Sequence, residues 1–160
     1  MKIERFDELD AWQLARELTK KVYGLTQKEK FARDFSLKNQ IQGAAGSSMH
    51  NIAEGFDSET NSEFLRFLRY AKRSCSEVQS ERYVALDQKY ISEVEFRDVY
   101  DHASRTRATI RGFIRYLTSH KQRLEKNKAK GQTVNGERGT ENGERETLNR
   151  EQGETHGKRI

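Results

Sequence analysis

Four stretches of the chain place apolar residues at helical spacing. In the first, Ala11, Ala15, Leu18, Val22 and Leu25 recur every three or four positions, with Trp12 and Leu14 widening the stripe. Gly24 and the polar run after Thr26 are expected to close it. The second starts near Ser36, a suitable N-cap, and aligns Leu37, Ile41, Ala44, Ala45, Ser48, Met49 and Ile52, with Gly55 suited to a left-handed C-terminal position. The third opens on a capping box, Thr60 with Glu63, and carries Phe64, Phe67, Leu68, Ala71, Cys75 and Val78 on its way to about residue 87. The fourth opens on a second box, Ser92 with Glu95. It sets Phe96, Val99, Ala103, Thr106, Ile110, Phe113 and Leu117 in steps of three and four, the cleanest heptad of the chain. Strand-like alternation is missing and proline is absent. The pattern predicts an all-α fold, a four-helix bundle running up-down-up-down over residues 1–120.

Residues 121–160 break the pattern. Their apolar members are Leu124, Ala129, Val134, Leu148 and Ile160, against six glycines, and three seven-residue units beginning with Asn (135–141, 142–148, 149–155) have no apolar seam. A coiled coil is excluded, and the segment is expected to be a disordered low-complexity tail. The middle of the second helix is also unusual. Gly43, Ala44, Ala45, Gly46, Ser47 and Ser48 stand in a row where each glycine costs about 1 kcal/mol relative to alanine. A neighbouring backbone at short distance, in the bundle or across a subunit interface, offsets that cost.

Charge adds a preference for polyanions. The net charge is +5, with +2 on the first 120 residues and +3 on the last 40. A single cysteine, Cys75, forbids an intramolecular disulfide, and the acidic N-terminal stretch and lack of long apolar runs give no export signal or membrane span. The expectation is a cytoplasmic protein.

No catalytic constellation emerges. Neither His50 nor His102 has a Glu three residues before it, as a bundle di-metal site requires. The pair His50 and Glu54 suits a surface contact, Cys75 lies on the apolar stripe as a buried thiol, and the segment from Gly43 to Ser48 lacks the lysine and preceding strand of a phosphate loop. No enzyme, metal or cofactor is expected.

What remains is an arrangement of cations. Arg66, Arg69 and Arg73 line up on the third helix, with Lys72 adjacent and Tyr70 beside them, and Arg107, Arg111 and Arg115 line up on the fourth. Arg69, Lys72, Arg107, Arg111 and Arg115 have no acid three or four residues away, whereas Arg105 has Asp101, Arg97 has Glu93, and Lys20 and Lys21 have Glu17. Unanswered like charges at this spacing repel by a few tenths of a kcal/mol each, roughly, so a polyanion or acids of neighbouring helices or subunits must answer them. A nucleic-acid phosphate backbone is one answer.

The segments RFDELDAWQLARELTKKVY, FSLKNQIQGAAGSSMHNIAEGF and SEFLRFLRYAKRSCSEV together resemble the small four-helix-bundle proteins encoded within intervening sequences of bacterial 23S ribosomal RNA. The likeness covers about residues 5–120, is most specific at NIAEG (51–55), and is carried on by Phe64, Leu68, Ala71, Ser74 and Glu77. It implies a closed homopentamer with a central channel, and a kinship in shape to accessory proteins of diversity-generating retroelements, which engage a reverse transcriptase and its nucleic acid. Both point to RNA or DNA binding without catalysis, with docking of a reverse transcriptase as the alternative. Asn51, Glu54, Gly55, Ser74 and Glu77 are then the family's structural motif. The chain departs from the family pattern where His50 replaces a proline, where Arg73 replaces a glycine, and near Arg82, where the family has an apolar residue. The last leaves open how far the third helix stays buried.

Overall fold

A computed structural model describes the backbone of residues 3–153 and the side chains of residues 3–127. After a single 3₁₀ turn at Phe6–Glu8 come α1 (Asp10–Thr26), a short α2 (Glu29–Arg33), α3 (Phe35–Phe56), α4 (Asn61–Asp87) and α5 (Glu93–Gly153). The chain divides into two compact units, residues 1–118 and 119–160. In the second, the side chains of residues 119–127 are exposed along α5. Most of the tail expected to be disordered, 128–160, lies outside the described side chains.

The first unit is a four-helix bundle of α1, α3, α4 and α5, and its cross-helix contacts fix the direction of each helix. Thr19 Oγ1 donates to the Ala45 carbonyl at 3.0 Å, and Gln42 Nε2 to Thr26 Oγ1 at 2.6 Å, so α1 and α3 are antiparallel. Ser74 Oγ meets Ser47 Oγ at 3.0 Å between α3 and α4. Gln79 Nε2 donates to Ser104 Oγ at 2.8 Å between α4 and α5. Lys21 of α1 and Lys28, just beyond its end, close the ring on Asp98 and Glu95 of α5, at 2.6 and 2.7 Å. Each helix therefore runs opposite to the one before it. The predicted stripes meet in one core, in which Leu18, Ala45, Ile52, Leu68, Ala71, Val78, Ala103 and Ile110 are fully buried.

The second capping box forms in full, Ser92 and Glu95 satisfying each other's N–H at 2.8 and 3.3 Å. The first forms by half: Thr60 Oγ1 accepts the Glu63 N–H at 3.2 Å, while the Glu63 carboxylate accepts from the Thr60 hydroxyl at 3.2 Å. Lys28 on one side and Ser92 on the other hold the Glu95 carboxyl below its usual pKa. α1 passes through Gly24 and ends at Thr26, where the polar run begins. Two boundaries differ from the pattern. The cap of α3 is Asp34, whose Oδ1 accepts the Leu37 N–H at 3.0 Å, and not Ser36. An ionised acceptor makes the stronger cap. Gly55 is not left-handed: α3 passes through it to Phe56, and no described glycine has positive φ. The positive φ belongs to Lys89, in the turn after α4, where Tyr90 N–H bonds the Ala85 carbonyl and Lys89 N–H that of Leu86.

The small residues of α3 divide between two faces. Ala44, Ala45 and Ser48 turn inward, where Thr19 reaches the Ala45 carbonyl, so the close approach within the bundle is real for them. Gly43 is exposed, and a Cβ added there would meet nothing within 4 Å. Close packing within the bundle therefore does not account for Gly43. Gly43→Ala is expected to raise stability by about 0.5–1 kcal/mol through helix propensity, as measured by urea unfolding. A drop in assembly size by light scattering in the same variant would place Gly43 on a subunit contact instead.

Candidate nucleic-acid interface

The seven basic residues lie on α4 and α5. Arg66, Arg69 and Arg73 on α4 and Arg111 and Arg115 on α5 are exposed, and Lys72 and Arg107 are half-buried. Among the described residues none of the seven forms an ion pair. Among the described residues, acids of neighbouring helices therefore do not answer them. Arg73 has Glu77 one turn away, yet its guanidinium stands 5.3 Å from the centre of the Tyr70 ring, while Arg66 stands 5.4 Å from that of Phe67. Arginines resting on aromatic rings keep their N–H groups available at modest entropic cost.

Three of the seven converge. Lys72, Arg107 and Arg111, with Ser104 and Ala108, line a cavity of about 220 Å³ between α4 and α5. Arg66, Arg69, Arg73 and Arg115 do not line it. The antiparallel register set by Gln79 and Ser104 carries on to put Arg69 level with Arg115, so the stripe extends beyond the cavity along the same seam.

Gln79 positions the group, and the sequence reading passed over it. Its side chain is only 8% exposed. Its amide nitrogen donates to Ser104 Oγ at 2.8 Å, and its amide oxygen accepts from Arg107 Nη1 at 2.8 Å. The signal was present, since Gln79 follows Val78 on the buried side of α4, where a polar residue needs a partner. Arg107 Nε is buried and has no hydrogen-bond partner. Its charge reaches inward to Cys75, whose thiol burial pushes up to about 11, with the Ser48 hydroxyl and Arg107 pulling slightly the other way. A thiol held neutral this firmly is a packing element, as its place on the apolar stripe suggested.

Arg82 resolves the question its position raised. It is 1% exposed, and Ala85 beyond it is fully buried, so α4 stays in the core to its last turns. The guanidinium lies 3.9 Å from the centre of the Phe96 ring and 4.0 Å from that of Tyr100, with Tyr83 at 5.1 Å. It donates to the Phe96 carbonyl at 2.7 Å and the Gln79 carbonyl at 3.2 Å. Burial pushes its pKa down.

The motif residues knit α3 to α4. Asn51 Nδ2 donates to the Ser47 carbonyl and hydroxyl at 2.7 and 2.9 Å, and Ser47 in turn meets Ser74. Gly55 faces Phe64 and Phe67. Glu54 and Glu77 are exposed, Glu54 lining a shallow groove with His50, Asn51 and Tyr23. His102 is buried, with Nε2 donating to the Leu14 carbonyl at 2.9 Å and Nδ1 left to accept from Arg105 at 3.3 Å. Arg105 thus turns to His102 rather than to Asp101. Among the described residues no cluster of His, Cys, Asp or Glu is placed to hold a metal, and no helix is long and apolar enough to cross a membrane.

Comparison with known proteins adds a family and a fold. A family model described as 23S rRNA-intervening sequence protein matches residues 7–112. A solved structure from Bacteroides thetaiotaomicron VPI-5482, a protein of unknown function from the S23 ribosomal protein family, is similar in fold. Its TM-score is 0.62 at 14% identity, over 66% of this chain and 95% of that one. No curated protein matches the chain.

Proposed function

The chain belongs to the family of 23S rRNA-intervening sequence proteins, and on that premise we propose that it is a non-enzymatic, cytoplasmic nucleic-acid-binding bundle that engages an RNA backbone through the α4–α5 face. The observation that carries this reading is the set of seven cations without an acidic partner, three of them gathered at one cavity. Phosphates are the counter-charges such a face fits, and arginines held on rings or by Gln79 lose little freedom on binding them. Backbone contacts of this kind bring affinity without base readout.

The test is binding of the full chain to structured RNA and to duplex DNA across a salt series. Replacing Arg69, Lys72, Arg107, Arg111 and Arg115 together by Gln is expected to weaken RNA binding on the order of 100-fold and to flatten the salt slope by about three to five. Unchanged binding would reject the assignment.

A second reading draws on the other end of the same helices. Tyr83, Val94 and Tyr100 are exposed around the α4–α5 turn, Val94 at 77%. Such a patch suits association with further copies, as in the closed homopentamer that the family resemblance implied, or docking of a protein such as a reverse transcriptase. Light scattering of a Val94→Lys variant separates self-association, which the charge would weaken, from a monomer with a free patch.

A further inference from the structure

The cavity between α4 and α5 differs from the rest of the basic stripe, and it deepens the reading just given. Its walls bring together three cations and one hydroxyl, from Lys72, Arg107, Arg111 and Ser104, with Ala108 as the apolar member and no acid. A phosphodiester within a strand carries one negative charge and is flanked on both sides by further backbone. A terminal phosphate has one free side and carries about −1.5 to −2 at neutral pH. A concave site with three positive charges suits the second better than the first. From this we infer that the cavity is a subsite for a single phosphate dianion, occupied by the terminal phosphate of an RNA whose backbone then follows Arg69 and Arg115 along the seam.

Two details of the site support the assignment. Gln79 fixes the Arg107 guanidinium through Nη1 at 2.8 Å, and the same amide holds Ser104 Oγ, so two of the lining groups are oriented before any anion arrives. Arg107 Nε is buried without a partner. A small turn of the guanidinium towards an anion in the cavity supplies the missing acceptor, and a buried donor left unmade is the unfavourable alternative. The side chains of Lys72 and Arg111 make no hydrogen bond or ion pair among the described residues and can close on the anion.

The inference rests on the nucleic-acid reading, and two measurements keep their failures apart. The first follows the Arg Nε–H resonances of the full chain by NMR during titration with inorganic phosphate, against chloride at equal ionic strength. The second compares the affinity of one short single-stranded RNA with a 5′-phosphate and with a 5′-hydroxyl. The expected result is a saturable shift of the Arg107 Nε–H and an affinity at least about fivefold higher for the phosphorylated end. The corresponding binding energy is about 1 kcal/mol. Lys72→Gln and Arg111→Gln should each abolish that preference, while Arg115→Gln, outside the cavity, should weaken both RNAs and leave the ratio intact. Equal affinity for the two RNAs with no phosphate shift overturns the subsite and leaves the nucleic-acid reading standing. A phosphate shift with neither RNA bound keeps the anion site, assigns it to small phosphates, and overturns the nucleic-acid reading instead.

Discussion

Arg82→Ala is expected to lower the stability of the bundle by about 3–5 kcal/mol, the loss typical of removing a large fully buried side chain. Arg82 is the largest of the fully buried side chains, and its guanidinium fills the space between Phe96, Tyr100 and Tyr83. Truncation leaves a cavity against three rings and removes two charge-assisted bonds to carbonyls. The charge itself is not what stabilises. Among the described residues no acid pairs with it, Nη2 has no partner, and burial already disfavours the charged form. Ring contacts of about 0.5–2 kcal/mol each offset part of that desolvation. Arg82→Met, which keeps the length and apolar volume, should therefore fall within about 1 kcal/mol of the parent, on either side of zero. Urea unfolding of the two variants checks this, and a Met variant as unstable as the Ala variant would show that the cation, not the volume, is needed.

Gly55→Ala should cost a net of about 1 kcal/mol even though alanine is the better helix former. A Cβ at this position would sit 2.7 Å from Phe64 Cδ2 and 2.8 Å from Phe67 Cβ. The Phe64 ring is able to turn, at the expense of its edge contacts with Phe56 and Phe113. The Cβ of Phe67 is tied to the α4 backbone and moves only if the helix moves. Overpacking of this kind costs about 1–3 kcal/mol, occasionally more, against the roughly 1 kcal/mol that Gly→Ala gains in a helix interior. The contrast with Gly43→Ala, identical in chemistry and opposite in sign, isolates the close approach as the cause. Thermal unfolding of the two variants side by side decides it, and a stabilised Gly55→Ala would mean that α3 and α4 separate easily at this end.

The sign of those two glycine substitutions could not be read from the chain. Both glycines look alike in sequence, lying in or near the end of the same helical pattern. Helical periodicity assigns a residue to a face of its own helix, but how close a neighbour comes to that face is set by the packing of the partner. For the same reason Gly55 was legible as a necessary glycine, but its cause was misread as a left-handed cap. Arg82 shows the converse. A charged residue on a buried stripe reads as a break in the core, and only the placement of Phe96 and Tyr100 on α5 turns it into a packed one.

Spacing along the chain encodes the four long helices, their capping signals, the apolar stripes and the two rows of arginine. All of these depend on interactions within three or four residues, which spacing alone encodes. Tertiary structure decided which cations meet. Lys72 and Arg107 are 35 positions apart, and the antiparallel register of α4 on α5, fixed by Gln79 and Ser104, puts both at one cavity while leaving Arg66 and Arg73 on their rings. Register across helices arises from the fit of whole apolar faces, so no local pattern carries it.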